Sequence, residues 1–250
     1  MQGLLEARAD ATAKEFWEGT LKGALAFRGV SVEGVREAID LVWQEEPATG
    51  EDRLAAGLDL ALALLREPLG DDKLAGVLLL AEKLADDLTP AELPRLAALF
   101  DEGAVADSNT CDGLAVKLLA RLVVRKPDGM SFARAVAAWK DAPGLWRRRA
   151  ACIAFVPVAK KGDAALPGLT RLVLGICEKT VRDPERFAQT GTGWVLRELS
   201  LADRPAVLAF VERNLPRFSV EALRSVTEKM PKTVSRDLLT RHAAGRKAEE

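Results

Sequence analysis

Leu54-Ala55-Ala56-Gly57-Leu58-Asp59-Leu60-Ala61-Leu62-Ala63-Leu64-Leu65-Arg66 carries apolar side chains at Leu54, Leu58, Ala61, Leu62 and Leu65. Steps of three and four residues follow the period of an α-helix and draw one apolar face along it. The same spacing recurs almost everywhere in the 250 residues, and no sustained two-residue alternation interrupts it. The fold read from this pattern is all-α. Breakers divide the chain into about a dozen helices: Pro47 to Gly50, Pro68 to Gly70, Thr89-Pro90, Lys126 to Gly129, Pro143-Gly144, Lys161 to Asp163, Asp183-Pro184, Pro205, Pro216 and Pro231.

Such short connections favour antiparallel helix pairs stacked side by side. The expected pairs are 52–66 with 71–87, 91–102 with 109–125, 130–140 with 143–158, 165–180 with 184–200, and 204–214 with 219–230. Their sequences do not match at a fixed period. The expectation is therefore a degenerate HEAT-like array, a curved α-solenoid (α-α superhelix), with an irregular helical bundle as the alternative. One domain over 1–250 is expected, with N-terminal helices in 1–50, the repeat array in 51–232, and a C-terminal helix and tail in 233–250. A curved solenoid would offer a concave groove lined by the second helix of each pair.

A hydrophobic content of 48% suffices for a sizeable core. No apolar run reaches transmembrane length, and Glu6, Arg8 and Asp10 stand where a signal segment would be basic and then apolar, so a cytoplasmic protein without a membrane partner is expected. Cys111, Cys152 and Cys177 are widely spaced, and His242 is the one histidine. Neither a disulfide framework nor a metal site follows, and the thiols read as buried small hydrophobes. The net charge of −1 hides a division: residues 1–110 hold 10 Lys+Arg against 22 Asp+Glu, and residues 111–250 hold 26 against 15. A basic half beside an acidic one suits a surface that neutralises phosphates, although uneven solvated composition would produce it too.

Three stretches carry chemistry. Asn109-Thr110-Cys111-Asp112 stands where a helix begins, with Ser108 or Asn109 as N-cap. A carboxylate in a first turn is favoured by the helix dipole, which is the structural reading of Asp112; the functional one is that Asp112 stabilises a developing positive charge or orients water. Trp146-Arg147-Arg148-Arg149 opens a helix after Pro143-Gly144. Three successive arginines spread around a turn, so they cannot all face one ligand. Lys160, Lys161, Lys179, Arg182, Arg186 and Arg197 would extend a basic track. Trp194 lies mid-helix between Gly193 and Val195, with Gly191 near. Small neighbours would let a bulky partner approach an aromatic face that attracts cations.

Val105-Ala106-Asp107-Ser108-Asn109-Thr110-Cys111-Asp112, Trp146-Arg147-Arg148-Arg149-Ala150-Ala151 and Gln189-Thr190-Gly191-Thr192-Gly193-Trp194-Val195-Leu196-Arg197-Glu198 together resemble the active-site segments of the AlkD-like DNA alkylation-repair family. Leu25 to Val30, Lys73-Leu74-Ala75, Pro184 to Phe187, Ala222-Leu223-Arg224 and Glu228 to Pro231 resemble family positions in the same order. The resemblance thus spans nearly the whole chain. It implies a monomeric glycosylase of HEAT-like repeats that binds alkylated double-stranded DNA and hydrolyses the N-glycosidic bond of cationic N3- or N7-alkylpurines, with no cofactor and no metal. By the same resemblance Asp112 and Trp194 are the catalytic pair, and Arg148 contacts phosphate; Arg149, Trp146, Lys160, Lys161 and Arg197 complete the expected DNA-binding set. The family pattern has tryptophans where this chain has Ser108 and Gly113. Those departures leave two further readings open, a relative that only binds DNA and a helical scaffold for a protein partner.

Overall fold

The computed structural model describes the backbone of residues 1–45 and 50–249 and the side chains of 1–44 and 50–245. The expected break at Pro47 falls largely outside the described residues. Sixteen α-helical segments and no strand occur among the described residues; Ala26 and Leu69 form a single parallel bridge. The chain divides into two compact units, Met1–Arg121 and Leu122–Glu250.

The first unit contains α1 (Gln2–Glu6), α2 (Ala11–Thr20), α3 (Val32–Glu45), α4 (Glu51–Arg66), α5 (Gly70–Leu79), α6 (Leu93–Asp101) and α7 (Ser108–Leu114), and α8 (Ala120–Leu122) spans the boundary between the units. The opening pattern is α4: Leu58, Ala61, Leu62 and Leu65 are buried, as their spacing requires. α4 packs on α5, α6 on α4 and α7 on α5, so first helices stack on first helices and second on second. Helix α5 runs into a π turn at Leu80–Leu84, and α7 into another at Ala115–Leu119. Sequence periodicity does not distinguish such turns from ordinary helix.

The loop before α3 is fastened to the start of α5. Asp71 accepts from the backbone N–H groups of Arg28 and Val30, Asp72 takes the Arg28 guanidinium, and Gly70 donates to Ala26. Gly70 is needed there because a Cβ would clash with the Phe27 ring, 2.2 Å from Cε1. Burial pushes the Asp72 carboxyl above its ordinary value, against the pull of Arg28.

The second unit contains α9 (Gly129–Ala137), α10 (Leu145–Ile153), α11 (Val156–Ala159), α12 (Leu169–Thr180), α13 (Arg186–Leu199), α14 (Arg204–Asn214), α15 (Val220–Thr227) and α16 (Lys232–Glu249). The expected helix over 143–158 is in two pieces, because Pro157 lacks the N–H that would continue α10 and instead opens α11. Here too the layers repeat: α13 packs on α10 and α15, while α9 meets α12. Gly193 lets α13 and α15 approach closely, since a Cβ there would lie 2.8 Å from the Ala222 carbonyl oxygen. Cys111, Cys152 and Cys177 form no disulfide and are fully buried, as the sequence suggests. His242 is also buried, its Nε2 2.7 Å from the Phe218 carbonyl.

Candidate functional site

In the first unit, the geometry around Asp112 begins with Asp107. Its carboxylate accepts from the Thr110 N–H at 2.8 Å and caps α7, so the expectation of Ser108 or Asn109 as N-cap is corrected. Asp112 is the fifth residue of α7, beyond the first turn, and the dipole-and-cap explanation of its carboxylate therefore falls away. Its side chain is half-buried, Ser108 likewise, and Asn109 is exposed. A Cβ at Gly113 would meet nothing nearer than Val77 Cγ1 at 4.0 Å.

Lys73 supports this helix start from below. It is buried, and its ammonium donates to the carbonyls of Leu65 at 2.7 Å and Ala104 at 2.6 Å. Burial lowers its pKa from the ordinary lysine value, while Asp107, Asp72 and Glu67 hold it up in part. The lysine ties the end of α4 to the turn that leads into Asp107. Sequence reasoning quoted both residues within family-like stretches but gave neither a role; the Asp107-x-x-Thr110 spacing was the available signal for the cap.

In the second unit, α10 turns its three arginines in different directions, as the sequence requires. Arg148 is largely buried: its Nε donates to Asp183, and Nη1 to the carbonyls of Ala142 and Pro143. Arg149 is buried against α13, donating to Phe187 O at 2.8 Å and Thr190 Oγ1 at 3.1 Å. Trp146 is half-buried, with its ring centroid 5.0 Å from that of Phe187. Phe187 also lies under the guanidinium groups of Arg149 and Arg186, at 5.7 and 5.2 Å. Arg147 sits over Trp139 at 5.5 Å. Arg148 and Arg149, expected at DNA, are thus held by protein contacts in this structure, with Asp183 and Phe187 as partners to which the sequence reading gave no such role.

Trp194 is half-buried on α13, unlike the core residues Val195 and Leu196 beside it. Its glycine neighbours do not open space around it, which corrects the sequence reading. A Cβ at Gly191 would face Arg149 and Cys152 of α10, and one at Gly193 would strike α15. Gly193 serves helix packing, whereas a methyl group at Gly191 would make ordinary contacts with α10 at 3.6 and 3.7 Å. Arg197 pairs with Glu198 at 3.0 Å and Glu228 at 2.8 Å, and Lys229 joins Glu198 at 2.8 Å. Burial alone would raise the Glu198 carboxyl, but Lys229 and Arg197 outweigh it and hold the pKa below the ordinary glutamate value. Lys160 and Lys161 are exposed. Lys179 lies 3.3 Å from Asp141, Arg182 pairs with Glu178 and Arg186 with Glu221.

The structure therefore brings Trp146 and Arg149 onto α13, joins Arg197 to the acids near α15, and leaves Lys160 and Lys161 to solvent. Asp112 belongs to the first unit, and the other expected residues to the second. Among the described residues no group of three or more His, Cys, Asp or Glu side chains is arranged to hold a metal, and no helix is long and apolar enough to cross a membrane.

No curated protein matches the chain by sequence. A solved structure described as a predicted DNA alkylation repair enzyme from Enterococcus faecalis superposes with a TM-score of 0.73 at 15% identity, covering 90% of this chain and 98% of that one. At that identity the likeness establishes a shared all-α fold. A family model described as DNA alkylation repair enzyme matches residues 1–230, which is most of the chain, and the chain belongs to that family.

Proposed function

We propose that the chain binds duplex DNA and hydrolyses the N-glycosidic bond of cationic N3- or N7-alkylpurines. Water oxygen would bond to the sugar C1′ as the C1′–N bond breaks. The bonding electrons leave with the base, which departs neutral because it began as a cation, and the water proton passes to a carboxylate. Asp112 is the residue for that work, stabilising the positive sugar and taking the proton. Trp194 would offer its ring to the cationic base, and Arg148 would reach a phosphate on exchanging Asp183 for it. Trp146 and Arg149 hold α10 against α13 beneath that contact, and Lys160, Lys161 and Arg197 would add contacts to the DNA backbone.

The observation that carries this reading is the position of Asp112: a half-buried carboxylate beyond the first turn of α7, in a helix already capped by Asp107. Membership of a DNA alkylation repair family supports the substrate. Release of N3-methyladenine and N7-methylguanine from methylated duplex DNA tests it. Asp112→Asn should abolish release and leave binding to undamaged duplex within about twofold, and Ser108→Trp should raise release by supplying an aromatic wall beside the lesion, a contact of about 0.5–2 kcal/mol. Native protein that releases neither base, at saturating enzyme, overturns the reading.

A relative that binds DNA without excision is the second reading. Ser108 and Gly113, in place of two family tryptophans, favour it.

A further inference from the structure

A groove of about 370 Å³ lies between α9 and α12, on the first helices of their pairs. Arg134, Lys140 and Arg171 line it, Leu172 and Ile176 form part of its floor, and none of its lining residues is acidic. Arg134 and Arg171 are exposed, and among the described residues neither has an ion pair. They differ in this from Arg148, Arg182, Arg186 and Arg197, which are all paired with acids. Lys140 is shared with Asp141 at 3.1 Å, outside the lining. Arg171 also lines an adjoining groove together with Lys161, where Asp163 and Asp203 balance the two cations, so the acid-free stretch is confined to the groove between α9 and α12.

The second observation is Gly175. It lies in the interior of α12, is exposed, and a Cβ built on it would meet nothing within 4 Å. Glycine in a helix interior costs about 1 kcal/mol relative to alanine. Gly76 and Gly193 repay that cost through close helix packing, but Gly175 has no such protein neighbour. Gly175 lines the same groove as Arg134 and Arg171, and its missing side chain leaves that part of the lining open.

We propose that this groove is a second DNA contact, one that takes the phosphodiester backbone of a duplex on α9 and α12 and is separate from the α10 and α13 residues assigned to the lesion site. Unpaired guanidinium groups suit phosphate oxygens, and an open helix surface admits a strand that a side chain longer than a methyl group would obstruct. The inference rests on the reading that the chain binds DNA and is independent of whether it excises a base.

The probe is an undamaged double-stranded oligonucleotide, with its affinity measured by fluorescence anisotropy across a series of salt concentrations. Gly175→Ala should leave affinity within about twofold and raise the melting temperature. Gly175→Glu puts a carboxylate into the groove and should weaken binding at least tenfold. Arg134→Gln and Arg171→Gln should each lower the salt slope by about one. Base release from methylated DNA at saturating enzyme should stay at the native level in all four variants, so loss of excision in the native protein would fault the glycosylase reading and leave this one standing. Parental affinity in Gly175→Glu, or in the Arg134→Gln, Arg171→Gln pair should Gly175→Glu fail to fold, overturns the proposal whatever other anion the groove accepts.

Discussion

At the scale of single residues, two aspartates five positions apart have separate tasks. Asp107 satisfies a backbone donor that water would otherwise have to reach, and Asp112 is thereby released from any capping duty. Asp107→Ala should destabilise the protein by about 1 kcal/mol, within the range for a lost N-cap, and should lower base release further than that loss of stability explains. Thermal denaturation beside single-turnover kinetics separates the two effects; equal losses in both would reduce Asp107 to a cap alone. Arg148 carries a different lesson. Its guanidinium spans the Asp183 carboxylate and two carbonyls, so Arg148→Ala should cost on the order of 3 kcal/mol in the absence of DNA. A fall in DNA affinity in that variant therefore has to be read against its melting temperature, and Arg148→Lys, which retains the charge but not the fork, is the better probe of phosphate contact.

At the scale of elements, the glycines sort by what a methyl group would meet. Gly193 abuts the backbone of α15 and Gly76 the Ala61 carbonyl of α4, at 2.8 and 2.7 Å for an added Cβ. Alanine at either should lower stability by about 1–3 kcal/mol, despite alanine's better helix propensity, and chemical denaturation would show it as an earlier midpoint with an unchanged slope. Helix existence was legible in the sequence because burial follows the apolar period, as in α4. Ends were less so: Pro157 splits one expected helix, and the Pro167-Gly168 turn delays α12 to Leu169. The candidate site was legible as residue identities, from the order of its motifs, but not as contacts. Nothing local to Trp146-Arg147-Arg148-Arg149 announces that Asp183, Phe187 and Thr190, some 35 to 40 residues on, take up the arginines. Partner choice of that kind is decided by which helices stack, information that the local pattern does not contain.

At the scale of the whole molecule, charge is the property that counts. The excess of basic residues in 111–250 suggested a broad phosphate-binding surface, yet many of its arginines are held by acids of the same unit, and exposed cations such as Lys160, Lys161, Arg134 and Arg171 are what solution ions encounter. Lys160→Ala with Lys161→Ala should flatten the salt dependence of duplex binding by up to about two in logarithmic slope and leave base release at saturating enzyme unchanged. An unaltered slope would remove both lysines from the DNA surface. The paired π turns in α5 and α7 have a consequence of another kind. Each such turn accommodates one residue more than the α-turn it replaces, without turning the rest of the helix away from its neighbour. Elsewhere in a helix, loss of one residue swings every later side chain by about 100°. Leu80–Leu84 and Ala115–Leu119 are accordingly two places inside described helices of the first unit where chain length could change by one residue between relatives while the buried faces keep their register.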